Sequence, residues 1–261
     1  MRADLYLVEN GYVKSRTSAA KFIDNGHVLI DGKPVKKASQ DISDHEHTVT
    51  LLESERYVSR GGLKLEGALK AFSLDVSGKR AADIGASTGG FTDCLLQAGA
   101  AHVYAIDSGR DQLDPDLMLD ERVSCMEGVN ARYLTPEDLG GAVDLVVMDV
   151  SFISQTLILP AVASLLCDGG IYIGLIKPQF EAGRGAVGKG GIVKNPKDRR
   201  AAVERVLQSA RELGLCLHGL VTSPIQGGDG NVEYLAYFIK GLPEPWAHWV
   251  PVEALFGKHG G

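Results

Sequence analysis

The chain is short of several things at once. Its four cysteines, Cys94, Cys125, Cys167 and Cys216, stand too far apart for a zinc-ligand pair and are too sparse for a disulfide framework. Three of them lie inside apolar runs, so they read as reduced core thiols, and no metal site is expected. No apolar run reaches the roughly 18 residues that a membrane-crossing helix needs. The start, with Arg2, Asp4 and Glu9, lacks the basic-then-apolar order of a secretory leader. The expected setting is the cytoplasm, with no membrane partner. A large positive excess is missing too: the formal net charge is −6, which argues against a chain that coats nucleic acid over its whole surface. Repeats and low-complexity tracts are absent. What is present is 44% hydrophobic and 23% charged residues over 261 positions, enough to bury one main core plus a small appendage.

The appendage is legible at the N-terminus. Leu5 and Val8 fit a short helix that Gly11 stops; Ser15 caps a second helix carrying Ala19, Phe22 and Ile23, with Gly26 as its stop. His27 to Ile30 then reads as a strand, Asp31-Gly32 as a tight turn, and Lys33 to Val35 as the return. Between residues 1 and 40, seven basic side chains stand against four acidic ones, a local balance of +3 in a negatively charged chain. Domain limits follow at 1–55 for this module, 56–62 for a linker built on Tyr57-Val58-Ser59-Arg60-Gly61-Gly62, and 63–261 for the rest.

From residue 80 onward, apolar runs alternate with helical segments. The predicted strands are Ala81 to Ile84, Val103 to Ile106, Val123 to Met126, Leu145 to Met148, Ile171 to Ile176, Leu217 to Val221 and Tyr234 to Ile239. Continuous apolar strands separated by helices predict an α/β fold: a seven-stranded, mostly parallel sheet with helices on both faces.

Ligands of such sheets bind outside the carboxyl ends of the strands. There the chain carries Asp83-Ile84-Gly85-Ala86-Ser87-Thr88-Gly89-Gly90, a glycine-rich turn into a helix beginning near Phe91. A dinucleotide site wants a glycine at position 87, where the backbone must approach a pyrophosphate, and Ser87 stands there instead. S-adenosylmethionine carries no phosphate and tolerates Ser87, which with Thr88 offers hydrogen bonds to its amino-acid end. Asp83 suits its ammonium group, and Asp107, 22 residues beyond Gly85, suits its ribose diol. A second glycine-rich segment, Gly183 to Lys189, has phosphate-loop spacing, but Gly190 replaces the hydroxyl residue that holds magnesium, so a nucleoside triphosphate site is not assigned. Seven basic against two acidic residues between Lys177 and Arg200 suggest a mobile basic loop that faces a phosphate backbone.

Two more polar residues follow strand ends: Asp149 in VVMDVSFIS and Lys177 in GLIKPQFE. A carboxylate beside a lysine is most often a structural ion pair. At this edge of the sheet the same pair suits methyl transfer to a ribose 2'-hydroxyl, a poor acid that needs a group to orient it and take its proton. A lysine does this where burial or a second cation favours its neutral form, and Lys64 offers that cation while Asp149 and Glu233 balance the charge.

Residues 2 to 39, RADLYLVENGYVKSRTSAAKFIDNGHVLIDGKPVKKAS, resemble the S4 RNA-binding domain over nearly its whole length. That resemblance implies phosphate contacts from Arg2, Lys14, Arg16 and Lys37. The segments VSRGGLKLEGAL, DIGASTGGFTD, EGVNAR, MDVSFIS, KPQFE and GNVEY resemble an FtsJ-type ribose methyltransferase domain from Arg60 to Lys240, and with the S4 module the TlyA family. The resemblance implies Lys64, Asp149, Lys177 and Glu233 as the catalytic set, S-adenosylmethionine as the cofactor, Asn130 near its adenine, and Phe152 lining the pocket, where a plain reading makes Phe152 core. It implies Arg60 and Lys189 as further RNA contacts and a cytidine 2'-hydroxyl of ribosomal RNA as the target, in the 23S molecule first and the 16S molecule as a second candidate. The chain departs from the family at Ser108-Gly109-Arg110-Asp111 and at Met118. Ending at Gly261 without a further helix, it is expected to be of the shorter, large-subunit type. Two other classes stand beside this: a catalytically idle RNA-binding or ribosome-assembly factor, and a pore-forming haemolysin, for which the sequence offers no membrane segment.

Overall fold

The computed structural model describes residues 1–13, 15–24, 27–42, 47–51, 56–227, 230–241 and 251–256. The chain divides into two compact units, Met1–Arg56 and Tyr57–Gly261.

In the first unit, helices α1 (Ala3–Glu9) and α2 (Arg16–Asp24) precede strands β1 (Val28–Ile30), β2 (Lys33–Pro34) and β3 (Val49–Leu51). Ser15 caps α2 as its spacing predicts, its hydroxyl accepting from the Ser18 amide at 3.2 Å. Gly26, the expected stop of α2, lies outside the described residues. Asp31 (φ +50°) and Gly32 (φ +72°) both take the left-handed conformation of a tight hairpin turn. The third strand was not foreseen: three residues leave little periodic signal, and β3 is defined by pairing antiparallel to β1 in the order β2-β1-β3. Leu7, Ala19, Ile23 and Val28 close the small core.

The second unit opens with α3 (Gly61–Ala71) and continues β4 (Arg80–Ile84), α4 (Gly90–Gln97), β5 (His102–Asp107), α5 (Pro115–Met118), β6 (Val123–Glu127), β7 (Val143–Met148), α6 (Leu159–Leu165), β8 (Leu166–Ile176), α7 (Pro178–Glu181), α8 (Pro196–Glu212), β9 (Leu215–Thr222), β10 (Tyr234–Lys240) and α9 (Pro251–Phe256). The seven strands are ordered β6-β5-β4-β7-β8-β10-β9. The five from β4 to β8 are parallel, whereas β10 is antiparallel to both β8 and β9. The reversal has a local cause. Only residues 223–233 join β9 to β10, with no helix among the described ones, and a parallel crossover needs a dozen or more residues.

Alternation across the pleat feeds two cores. Tyr172, Ile84, Met148 and Phe238 face α6 and α8, while Ile173, Leu145, Val103 and Leu235 face α3 and α4.

Three expectations need correction. Only Cys94 is buried; Cys125 is exposed and Cys167 and Cys216 are half-buried, because each of those three lies at a rim of the sheet or on a strand face that solvent reaches. The segment 57–62 is not a free linker: Tyr57 is buried, the Val58 amide donates to Asp93 Oδ2 at 2.8 Å, and α3 already begins at Gly61. The basic segment from Lys177 to Arg200 is not one continuous loop: α7 occupies its start, a 3-10 turn spans Arg184–Ala186, and α8 begins at Pro196.

Gly62 shows how tightly the start of α3 is packed. A Cβ there would lie 2.2 Å from Tyr57 Cγ. Gly62→Ala is therefore expected to destabilise the protein by about 1–3 kcal/mol, the usual cost of overpacking, in urea unfolding. Wild-type stability would contradict the close approach.

Candidate active site

Strand register gathers the candidate residues at one edge of the large sheet. Ile84 pairs with Ile106 on one side and Met148 on the other, and Met148 pairs with Gly174 on β8. Gly85, Asp149 and Lys177 follow these strands directly, and Asp107 ends β5. Because β10 runs the other way, Glu233 at its entrance reaches the same edge, where Tyr234 pairs with Ile176. The turn after β4 is fixed by amides of Gly85 and Ala86 donating to Ile106 O at 2.8 and 3.0 Å, and by the Asp149 amide donating to Ile84 O at 3.0 Å. Gly85 is required there: its φ is +84°, and a Cβ would lie 2.5 Å from Asp149 O.

A cavity of about 400 Å³ opens at this edge, lined among others by Gly85, Asp107, Ser108, Asn130, Asp149, Ser151 and Phe152. Asp107 accepts the Ser87 amide at 2.8 Å on one oxygen and the Gly109 amide at 2.7 Å on the other, so it also braces Ser87 in its left-handed conformation (φ +48°). Asn130 accepts the Arg132 amide at 3.1 Å and caps the short turn beyond it. Phe152 is not core. It is 92% exposed at φ +66°, with its ring centroid 5.2 Å from that of Phe180. Ala86, Gly89 and Gly90 are buried in the turn itself, and Thr88 O accepts the Asp114 amide at 3.3 Å.

Asp83 sits sealed beneath this turn instead of lining the cavity. It is fully buried; its Oδ2 accepts the Thr92 hydroxyl at 2.7 Å, and its Oδ1 has no partner among the described atoms. Burial, with Asp149 and Asp107 adding like charge, raises its pKa from 3.8 to about 7. Glu127 was missed by the sequence reading. Its carboxylate accepts the amides of Asp111, Gln112 and Leu113 at 2.6, 2.8 and 2.9 Å, which fixes the loop that departs from the family pattern and holds the Glu127 pKa low. The signal was its place in EGVNAR, at the end of a strand opposite Asp107.

The four scattered residues form two ion pairs. Lys64 Nζ lies 2.6 Å from Glu233 Oε2, and Lys177 Nζ lies 2.6 Å from Asp149 Oδ1 and donates to Ser151 Oγ at 2.8 Å. Each lysine thus has a carboxylate of its own. Gln179, on α7, donates to Glu233 Oε1 at 3.3 Å and ties the second lysine's helix to the first pair. Asn231, buried just before Glu233, accepts the Val193 amide at 3.1 Å and donates to Gly191 O at 3.0 Å, which pins the loop bearing the exposed Lys189. Ser151, Gln179 and Asn231 lie inside the quoted family segments, which was the only sign of them in the sequence.

In the first unit, Arg2 and Arg16 converge on the buried Asp4, while Lys37 stands exposed and separate from them. Hydrogen bonds from Arg2, then from Arg16, outweigh burial and lower the Asp4 pKa to about 2. Lys14 lies outside the described residues. Arg60, at the start of α3, is exposed and reaches Gln226 O at 3.5 Å.

A sheet in this order, its reversed strand beside the edge and a cavity at the turn after its first strand, defines a methyltransferase-type α/β domain; the small helical and hairpin unit precedes it. Residues 57–240 match the FtsJ-like methyltransferases and residues 1–47 the S4 domain. The 16S/23S rRNA (cytidine-2'-O)-methyltransferase TlyA of Mycobacterium tuberculosis is 48% identical over 237 residues, 90% of this chain and 88% of that protein. YqxC of Bacillus subtilis, provisionally designated an rRNA methyltransferase, is 47% identical over 90% of this chain and 84% of its own. A solved structure from Streptococcus thermophilus, provisionally designated a hemolysin, superposes with a TM-score of 0.77 at 42% identity, covering 98% of this chain and 94% of that one. The chain belongs to the TlyA family of FtsJ-like methyltransferases. No helix among the described residues is long and apolar enough to cross a membrane.

Two stability measurements test this geometry. A carboxyl whose folded pKa lies above its unfolded one favours folding in acid and loses that contribution as pH rises from 3.8 to about 7. Asp83→Asn should therefore gain stability over the wild type as pH rises, by up to about 4 kcal/mol at pH 8 relative to pH 4. A pH-independent difference in urea midpoints would contradict a neutral buried Asp83. Lys64→Ala strands Glu233, which is 2% exposed, without its cation, and should cost about 3–5 kcal/mol. Pairing Lys64→Met with Glu233→Gln should recover most of that loss, and a stable single variant would contradict the buried pair.

Proposed function

We propose that this chain transfers a methyl group from S-adenosylmethionine to the ribose 2'-hydroxyl of a cytidine in ribosomal RNA. The observation that carries the reading is the Lys177–Asp149–Ser151 cluster at the wall of the cavity. Lys177 Nζ stands 2.6 Å from Asp149 Oδ1 and donates to Ser151 Oγ, which leaves a further position on the nitrogen for a substrate oxygen.

The residues present fit the cofactor. The cavity has the size of a nucleoside-scale site. Its carboxylate at Asp107, amide at Asn130 and close backbone approach at Gly85 match a ribose, an adenine edge and a sulfonium-bearing chain that carries no phosphate. When bound, this cofactor supplies an electrophilic methyl group on sulfur. Lys177 in its amine form then holds the 2'-oxygen in line and takes its proton on the nitrogen lone pair as the oxygen–carbon bond forms and the methyl–sulfur bond breaks. Asp149 and Ser151 hold the lysine on its axis. Lys64, fixed by Glu233, adds positive charge near the same edge, where negative charge grows on the attacking oxygen.

The S4-type unit supplies affinity. Arg2, Lys14, Arg16 and Lys37 are its candidate phosphate contacts, and Arg60 and Lys189 are further candidates in the second unit. The Mycobacterium tuberculosis relative is named for both subunits' RNA, so both are substrates to test. A chain that works on ribosomal subunits acts in the cytoplasm.

Lys177→Ala should abolish methyl transfer while cofactor affinity, read by calorimetry, stays near wild type, because the side chain acts on the transition state. Lys177→Arg should fail as well, since arginine does not give up its proton. Substantial activity in the arginine variant would leave Lys177 a positioning role only. The founding experiment incubates the protein with methyl-labelled cofactor and separated large and small subunits, then maps the modified nucleotide. No label on either subunit would favour the idle assembly factor.

A further inference from the structure

The first unit contains a charge arrangement that the catalytic reading does not use. Asp4, the second residue of α1, is 3% exposed. Its Oδ1 accepts Arg2 Nε at 2.9 Å and the Leu5 amide at 3.0 Å; its Oδ2 accepts Arg2 NH2 at 3.0 Å, Arg16 NH2 at 3.0 Å and Arg16 Nε at 3.2 Å. Five donors on two oxygens saturate the carboxylate. The arginines are in the opposite state. Their side chains are 46% and 56% exposed, and each has spent two of its five N–H groups on Asp4.

From these observations we infer that Asp4 is a positioning residue that joins Arg2, just before α1, and Arg16, the first residue of α2, into a single two-guanidinium clamp for one RNA phosphate. The inference rests on the S4-type unit gripping RNA. The geometry suits a phosphodiester: NH2 of Arg2 and NH2 of Arg16 each lie 3.0 Å from the same oxygen, which bounds their separation at about 6 Å. A phosphate with two non-bridging oxygens bridges donors at that spacing, each guanidinium presenting a remaining N–H edge. A free arginine surrenders side-chain entropy when it orders on a phosphate, whereas this pair is already ordered. Asp4 remains charged throughout the neutral range, as the anchor requires.

The claim predicts a sign that simple electrostatics does not. Removing a negative charge next to a phosphate should tighten RNA binding on Coulomb grounds. Loss of the anchor should weaken it. The test measures the affinity of the full-length protein for purified ribosomal subunits in four forms: wild type, Asp4→Asn, the Arg2→Ala/Arg16→Ala double variant, and the triple variant. Thermal unfolding is read on each. Asp4→Asn should weaken binding about tenfold in the wild-type background and cause no further loss where both arginines are already absent, the non-additivity of groups that act as one. Arg2→Lys/Arg16→Lys should restore little, because an ammonium does not share a carboxylate and a phosphate as a planar fork does.

Tighter or unchanged binding by Asp4→Asn would overturn the clamp. Equal losses in both backgrounds would do the same and assign Asp4 to folding of the unit, an outcome that a lowered melting temperature would accompany. Wild-type affinity in the arginine double variant is a separate result: it would remove the RNA grip of this unit, and the clamp with it.

Discussion

The ion pair between Lys64 and Glu233 is the contact on which the working edge of the large unit depends. Two charged groups 169 residues apart are buried together at 2.6 Å, and neither could stay buried alone without a large desolvation cost. Satisfying both forces α3 against the entrance of β10. It also brings in Gln179 at the other Glu233 oxygen, and crowds the backbone so closely that a side chain at Gly227 would meet that carboxylate at 2.6 Å. The pair is therefore a structural bolt at this edge, and under the proposed function its lysine also contributes positive charge there.

Carboxylates do similar work elsewhere at this edge. Asp107 and Glu127 accept backbone amides on the loops that frame the cavity, and Asp83 holds α4 from beneath through Thr92. Loops have few apolar contacts to hold them, so amides donated to an anion are an economical way to fix their course. This explains how a segment that departs from the family pattern, Ser108 to Asp111, still keeps a defined path: its anchor is Glu127, outside the segment that changed.

The smaller unit solves a different problem with the same interaction. The chain carries a net charge of −6, yet in residues 1–40 seven basic side chains stand against four acidic ones, and under the proposed function this stretch attracts phosphates. Charge alone is a diffuse attraction. Fixed geometry turns it into recognition of position, and in this unit a buried aspartate provides the geometry.

All seven strands of the large unit were legible from apolar runs, and their edges moved by one or two residues except at β8, which begins five residues earlier than expected, because burial on both faces of a sheet writes itself into the chain as uninterrupted hydrophobicity. The helix cap at Ser15 and the turn at Asp31-Gly32 were equally legible, since a cap and a tight turn are decided by neighbouring residues. The glycine-rich turn and the identity of the four scattered residues could be read too. What no local pattern carried was direction and partnership. The reversal of β10 puts Glu233 at the same edge as Lys177, and Lys64 then pairs with Glu233 while Lys177 pairs with Asp149. Asp83 is sealed, against its expected place at the cofactor, and Phe152 is exposed at the cavity instead of being core. Burial and pairing across 169 residues depend on how the chain packs, so only the tertiary structure decides them, whereas helices, strands and turns answer to the residues beside them.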